Sequence, residues 1–492
     1  MRISNNIINL IIIVLFALGL FSACGGTVAE ADDGDIDPPV TAAIAARDGD
    51  AATYHVDING DDGNDGSAAS PFRTVKYGAS LLQAGDTLII HPGDYGQEFE
   101  IATGSGTAVS PITIRAQTAG TVFLHGNRVP SQIDGGGIGF QLYGVSHIFI
   151  EGLHMSDYET AIEVDGEIDD NSNAEYLTIT HSTFKNNGAD GISNWKLDNL
   201  LVSDCTFISE EPEGGFPPDP EDWDAVQDYG VAIYYSANAV VKDSYFFGAH
   251  NQALSFKAGC TNGLVQRNIF EGALYTAIYL GQNRWSDGDN PKSVNLTAEY
   301  NIVRAAEGYR VKSPIRADNV ENAIIRYNYF EGFDQTNNTS AVHIFDEVLG
   351  TIEVYDNIMA FGIANENSGG VALEGVIAAE TAVSIHHNTI YSTVQDLFGV
   401  LNANSSFQQN ISYQCTYYDD DGSGNFRGDP VFINGNPVQQ PLVTVPTVHD
   451  FGTYYHQLTD PFRLDDGSPA QGFGVRFTNL SALYLPVITL AS

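Results

Sequence analysis

The sequence predicts an all-β chain wound into a parallel β-helix, a solenoid in which each repeat is one coil, and two observations predict it. The first is a repeat. An Asn-x-apolar unit returns as Asn268-Ile-Phe270, Asn301-Ile-Val303, Asn328-Tyr-Phe330, Asn357-Ile-Met359, Asn388-Thr-Ile390 and Asn410-Ile-Ser412. Ser182-Thr-Phe184, Cys205-Thr-Phe207 and Ser244-Tyr-Phe246 fill the same slot earlier, and successive units lie 22 to 39 residues apart. The second is what surrounds each unit: short β-branched or aromatic alternations such as LTIT, AIIRYNYF and TIEVYDNIM, with Gly and Asn at the joints. No long helical period lies between them, which excludes a β/α barrel and a doubly wound sheet. The lack of tight two-residue hairpin turns argues against a sandwich. Asn tolerates the left-handed backbone of a sharp coil corner, and amides stacked at about 4.8 Å can hydrogen-bond as a ladder. The six asparagines are therefore expected in one column at one corner.

Taken in order, residues 1–24 read as a targeting segment: Arg2, an apolar run from Ile7 to Leu20, then small residues before the cysteine in FSACGG. This resembles a bacterial lipoprotein signal. The resemblance implies lipidation at Cys24, an outer-membrane location facing the periplasm or the cell surface, and membrane contact only through that lipid. Residues 25–52 are acidic, rich in Ala and Gly and without periodicity, and read as a flexible linker. Residues 53–130 are expected to hold the N-terminal cap and first coils, with PFRTVKYGASLLQAGD as a short capping helix. Residues 131–427 carry the coils, and residues 428–492, with GDPVFIN and FRLDDGSPAQGFG, form a closing segment. Both end segments resemble those of secreted bacterial right-handed parallel β-helix proteins, pectate-lyase-like in architecture. That resemblance implies a single-stranded right-handed winding.

With 21 basic against 62 acidic residues, a formal net charge of -41, the chain is poorly suited to nucleic acid or an anionic membrane surface. Cys205, Cys260 and Cys415 are an odd, scattered set that implies no disulfide framework, and they are expected as small core residues of a monomer.

Aligning the coils by their alternation brings together AIEVD, GISNW, VAIYY, ALSFK, AIYLG, YRVK, AVHIF and VALEG. Second and fourth positions point inward, third and fifth outward. This acidic chain then gathers Lys257, Arg310, Lys312 and His343 with Trp195, Tyr235, Tyr279 and Phe345 on one outward ribbon. Rings that stack on sugar faces, interleaved with cations that pair with carboxylates, suit an acidic polysaccharide. Uronic-acid polymers can be cleaved by elimination, which needs a base, a proton donor and a cation over the carboxylate. The expected parts are Lys257 as base, Tyr235 or Tyr279 as donor, and Arg310 or Lys312 as clamp. Trp195, His343, Arg284 and Trp285 are expected as substrate contacts. The acidic insert EEPEGGFPPDPEDWDAVQDYG offers Asp219, Asp222, Asp224 and Asp228 to a calcium ion.

The stretch from Lys257 to Gln282 resembles the catalytic stretch of the β-helix lyases acting on alginate and dermatan sulfate, in which a Lys is followed one coil later by Arg-His-Gly. Leu280-Gly281-Gln282 stands at that place here. A lysine with acidic loops also resembles, in part, the pectate-lyase group that uses a lysine base and aspartate-held calcium. Two other readings stay open. One is a glycoside hydrolase on the same scaffold, for which Glu163, Asp165, Asp224, Asp228 and Glu374 are available. The other is a non-catalytic surface glycan-binding lipoprotein. No Walker loop, Rossmann fingerprint, zinc motif or nucleophile elbow occurs, which leaves nucleotide, zinc and acyl-transfer chemistry without support.

Overall fold

In the computed structural model, the residues described are 51–128, 136–169, 172–210, 229–248, 251–273, 275–282, 291–306, 311, 313–333, 340–345, 347–362, 369–375, 377–416, 424–439 and 451–476. Three sheets of 14, 12 and 10 strands are built from successive coils. The first starts at Thr53–Val56 and ends at Ser406–Gln408, the second runs from Gly93–Gln97 to Ile411–Tyr413, and the third from Ile138–Tyr143 to Gln395–Phe398. Pairing along all three ladders is parallel, with a single antiparallel addition where Glu167–Asp169 meets Ser172–Thr180. The chain is a parallel β-helix, as the repeat predicts.

Alternation fills the coil interior. On the third sheet Ile162, Ile192, Val231, Leu254, Ile278, Ile315, Val342 and Val371 are register partners in consecutive coils, and all are fully buried. On the second, Phe184, Phe207, Phe246 and Phe270 stack with centroids 4.9, 4.6 and 4.7 Å apart. Cys205, Cys260 and Cys415 are free and buried in this core, where burial pushes each thiol up to about 12.

The asparagine column stands at the corner between the first and second sheets. Each Nδ2 donates to the Oδ1 of the next coil from Asn268 through Asn301, Asn328, Asn357, Asn388 and Asn410, at 2.9–3.1 Å, and Asn425 extends the row at 3.0 Å. Each backbone N–H donates to the same neighbouring oxygen. Ser244 continues the row by accepting from Cys205 N and donating its own N–H to Asn268.

One part of the expectation is corrected. The left-handed residue at this corner is the one before each asparagine: Arg267, Tyr300, Tyr327, Asp356, His387 and Gln409 have φ between 53° and 58°. The asparagines are selected by their amides, which satisfy buried backbone groups on both sides. A second row performs the backbone task. Asn199, Asn238, Asn262, Asn295 and Asn322, where the chain enters the first sheet, have φ of 55–61° and link Nδ2 to Oδ1 at 3.2–3.3 Å on the surface.

One helix covers the first coils and a second covers a lateral face. Helix α1 (Val75–Ser80) is capped by Thr74, which accepts from Tyr77 N, and Asp62 fixes Thr74 through its N–H and hydroxyl. Its Gly78 lies where a Cβ would meet Leu88 at 2.8 Å, so the helix presses directly on the first coils, as the capping segment predicts. Helix α2 (Phe451–Thr459) lies on the outer face of the second sheet. There Phe451, Tyr454, Tyr455, Leu458 and Phe462 bury Tyr245, Ile269, Ile302, Tyr329, Ile358 and Tyr391 in a second apolar core.

Candidate active site on the third sheet

The outward columns of the third sheet follow from its register. One runs Gln141, Glu163, Ser193, Ala232, Ser255, Tyr279, Arg316, His343, Ala372 and Phe398. Two residues further along each strand, Tyr143, Asp165, Trp195 and Tyr234 form a second column that reaches Lys257 in the next coil. Glu163, Trp195, Lys257, Tyr279 and His343 stand on this ribbon as the sequence predicts.

Four positions differ, the last of them in VALEG, where Ala372 and Glu374 rather than Leu373 and Gly375 face outward beside His343 and Phe345. The coil 229–234 is shifted by one residue from the alignment above, so Tyr234, not Tyr235, is the partner of Trp195 and the neighbour of Lys257. Tyr235 has turned the corner with φ 50° and touches Trp195 edge-on at 4.7 Å. In the next coil, Phe256 pairs with Leu280 but Lys257 with Gln282, which leaves Gly281 as a bulge at φ 85°. A Cβ on Gly281 would lie 2.2 Å from Asp318 O. In the coil after that the ribbon residue is Arg316, in the strand Ser313–Ala317. Arg310 and Lys312, expected there, lie outside the described residues. So do Arg284, Trp285, Asp219, Asp222, Asp224, Asp228 and Cys24. Among the described residues no group of three His, Cys, Asp or Glu is placed to share a metal ion.

The side chains assemble as follows. Lys257 Nζ donates to Tyr234 Oη at 2.9 Å and lies 3.8 Å from the centre of the Tyr229 ring. Lys257 is outward in register yet only 5% exposed, which corrects the expectation of an open lysine. One coil on, Tyr279 donates its hydroxyl to Asp318 Oδ2 at 2.9 Å. Burial pushes both the Tyr279 phenol and the Asp318 carboxyl up, and Glu347 adds repulsion at Asp318. Arg316 lies between rings, its guanidinium carbon 4.3 Å from the Phe345 centroid and 5.0 Å from those of Tyr275 and Tyr279. One of its nitrogens donates to the Tyr275 hydroxyl, while its buried Nε has no hydrogen-bond partner. Among the described residues no carboxylate forms an ion pair with Arg316. His343, stacked on Phe345 at 4.4 Å, completes the row with Nε2 2.9 Å from Glu374 Oε2.

Chemically, this is a half-buried guanidinium at Arg316 walled by aromatic rings, with an amine two coils away and the phenol it is bonded to three coils away. Sequence reasoning missed Arg316, Tyr234, Tyr275 and Asp318. The signal for Arg316 was the alternation in SPIRA, masked by Pro314, a residue that counts against a strand interior.

Residues 113–284 match the family described as right handed beta helix region. The uncharacterized protein YwoF of Bacillus subtilis (strain 168) is 33% identical over 85 residues, which is 17% of this chain and 18% of that protein, so the chain spans less than a fifth of this relative's length. Among solved structures, the GH136 lacto-N-biosidase from Eubacterium ramulus is similar at 14% identity and a TM-score of 0.45, over 76% of this chain and 68% of that one. The PL6 family alginate lyase AlyGC is similar at 13% identity and 0.47, over 81% and 55%. The A-module of the Azotobacter vinelandii mannuronan C-5 epimerase AlgE6 gives 10% identity and 0.47, over 70% and 90%. Similarity at this level transfers no chemistry, and the function has to be argued from the site itself.

Proposed function

We propose that the protein is a polysaccharide lyase that cleaves an acidic, uronic-acid-containing polysaccharide by β-elimination. The observation that carries this reading is Arg316, held half-buried among Tyr275, Tyr279 and Phe345 with no carboxylate pairing it among the described residues, in a chain with 62 acidic side chains. A guanidinium that makes no direct ion pair is suited to a substrate carboxylate, and the surrounding rings suit sugar faces. Arg316 stands two coils from Lys257, roughly 10 Å by ladder spacing, so it seats the carboxylate of a uronate further along the polymer and holds the chain in register over the lysine. At the reacting unit, Lys257 Nζ removes the proton on the carbon beside the carboxylate. The electron pair forms the new carbon–carbon double bond, the glycosidic bond on the adjacent carbon breaks, and the departing oxygen receives a proton from Tyr234. The 2.9 Å contact between Tyr234 Oη and Lys257 Nζ then lets the proton taken by the amine return to the phenol.

The test is the appearance of ultraviolet-absorbing unsaturated ends from alginate, pectate, glycosaminoglycans and sulfated algal glycans. Lys257→Met, which keeps most of the buried volume, should lower turnover by about 10²–10⁴-fold with unchanged circular dichroism. Full activity in that variant would sink the mechanism.

A second reading has its own support. Asp318, whose carboxyl burial raises, and Glu374 stand two rungs apart on neighbouring columns, roughly 10 Å by ladder spacing, close to the separation of an inverting hydrolase pair. New reducing ends without unsaturation would move the assignment to that hydrolase. The lipid anchor at Cys24 is part of the same proposal: Cys24→Ser should shift the protein from the membrane to the soluble fraction, and unchanged fractionation would count against it.

A further inference from the structure

The ribbon is divided by charge along its length. Toward the C-terminal coils it carries Lys257, Arg316 and His343, the last with Glu374 at 2.9 Å. Toward the N-terminal coils it carries rings with carboxylates: Tyr143, half exposed, donates its hydroxyl to Glu163 at 2.8 Å, Asp165 lies on the next rung, and Trp195 on the one after. The Tyr143 phenol is raised by burial and by the combined field of Glu163, Asp165 and Glu100, so these three carboxylates converge on one ring. Nearby Lys196 is taken up by Glu167 at 2.8 Å. Among the described residues no cation pairs with Glu163 or Asp165. Trp195 is joined to the reacting end through Tyr234, 5.4 Å away centroid to centroid. From Lys257 back to Trp195 is two rungs, roughly 10 Å, and to Tyr143 four rungs, roughly 19 Å.

A polymer lying along this ribbon with its reacting uronate at Lys257 therefore passes over Trp195 two rungs on, beside Glu163 and Asp165 three rungs on, and over Tyr143 four rungs on. Those rings can stack on a sugar, but Glu163 and Asp165 repel a second anionic unit beside them. We propose that the substrate is not a uniform polyuronate. It is a mixed polysaccharide in which the uronate is followed, on the Trp195 and Tyr143 side, by a neutral or amino sugar bearing neither carboxylate nor sulfate. This rests on the lyase reading for the identity of the reacting unit.

The experiment compares a homopolyuronate with a polymer of similar length alternating uronate and unsulfated N-acetylhexosamine. Formation of unsaturated ends is measured with the wild-type protein, and binding with Lys257→Met, whose ribbon charges other than the lysine are intact. The alternating polymer should be favoured by at least about tenfold in kcat/KM and in Kd, since two exposed carboxylates contribute about three- to fivefold each. Glu163→Gln with Asp165→Asn should narrow that ratio by about tenfold, chiefly by improving the homopolyuronate. Trp195→Ala should weaken binding of the alternating polymer. Equal handling of the two polymers, an unchanged ratio in the double variant, or binding of neither polymer would overturn the inference. Preferential binding with no unsaturated product would leave the charge division standing and remove the elimination mechanism.

Discussion

Two arginines on two outer faces, Arg304 on the second sheet and Arg316 on the third, show how the same coil geometry serves opposite ends. Arg304 sits between Glu271 and Glu331, one rung away on either side. It is bonded to Glu331 at 3.1 Å and to Tyr454 at 2.6 Å, and Tyr454 in turn donates to Glu271. Tyr245 and Tyr329 occupy the remaining oxygens of the two glutamates. Arg304 is 2% exposed, under helix α2. Arg316 lies on the next strand of the same coil, on the other face, among rings and a phenol, without a carboxylate in direct ion-pair contact among the described residues. Every charge of the first cluster is answered inside the protein, which is the mark of a structural network. In the second cluster Arg316 makes no direct ion pair among the described residues and feels Asp318 only at longer range, and the proposed function rests on that difference.

The sharpest way to break the comparison is to remove each arginine in turn. Arg304→Ala strands two buried glutamates and should cost about 3–5 kcal/mol in denaturant unfolding. Arg316→Ala should cost no more than about 1 kcal/mol, because it breaks no direct ion pair, yet lower turnover by about 10²-fold or more. Equal stability losses would mean that Arg316 is also a strut.

The two asparagine rows sharpen the same point at lower amplitude. Asn328→Ala orphans the N–H and Nδ2 of Asn301, the carbonyl of Ala298 and part of Asn357, and should cost about 2–4 kcal/mol. Asn262→Ala, on the exposed row, leaves its neighbours to water and should cost about 1 kcal/mol, much of it from the left-handed backbone. Asn262→Gly should recover most of that. If both alanine variants lose the same stability, burial is not what distinguishes the rows.

The smallest effect concerns pH. Burial holds the Asp318 carboxyl above its ordinary value, so the folded state binds that proton more tightly than the unfolded chain. Its favourable contribution is complete below the unfolded pKa, about 4, and is lost as pH rises through the raised folded value. Asp318→Asn should remove this term, so the Tm of the wild-type protein should fall relative to the variant as pH rises above about 4. A difference in Tm that does not change with pH would contradict it.

The coils were legible in the sequence because an inward column must repeat: Ile162 to Val371 and the Asn row each recur once per turn, and burial punishes any slip. The second asparagine row was equally visible, since Asn238, Asn262, Asn295 and Asn322 each stand six residues before a member of the Ser244 and Asn column. The site was less legible, because outward residues obey no such rule. A corner reached one residue early put Tyr235 in the place of Tyr234, a single bulge at Gly281 displaced the partner of Lys257, and Pro314 hid the strand that carries Arg316. Helix α2 has an apolar face readable in FGTYYHQLT, but nothing local says which sheet it covers.

That helix alters how the solenoid comes apart. In a stack where coils touch only their neighbours, opening can proceed turn by turn from either end. Here Tyr454 bonds to residues 150 and 183 positions earlier, and the apolar patch beneath α2 joins coils from Tyr245 to Tyr391. These coils cannot peel away singly while the splint is seated. Their amides should exchange with solvent as one cooperative block, whereas the coils between Thr53 and Ser209 should show protection graded by distance from the end. The half of the ribbon from Lys257 to Glu374 lies within the splinted block, so its geometry is held at the stability of the whole block rather than that of any one turn.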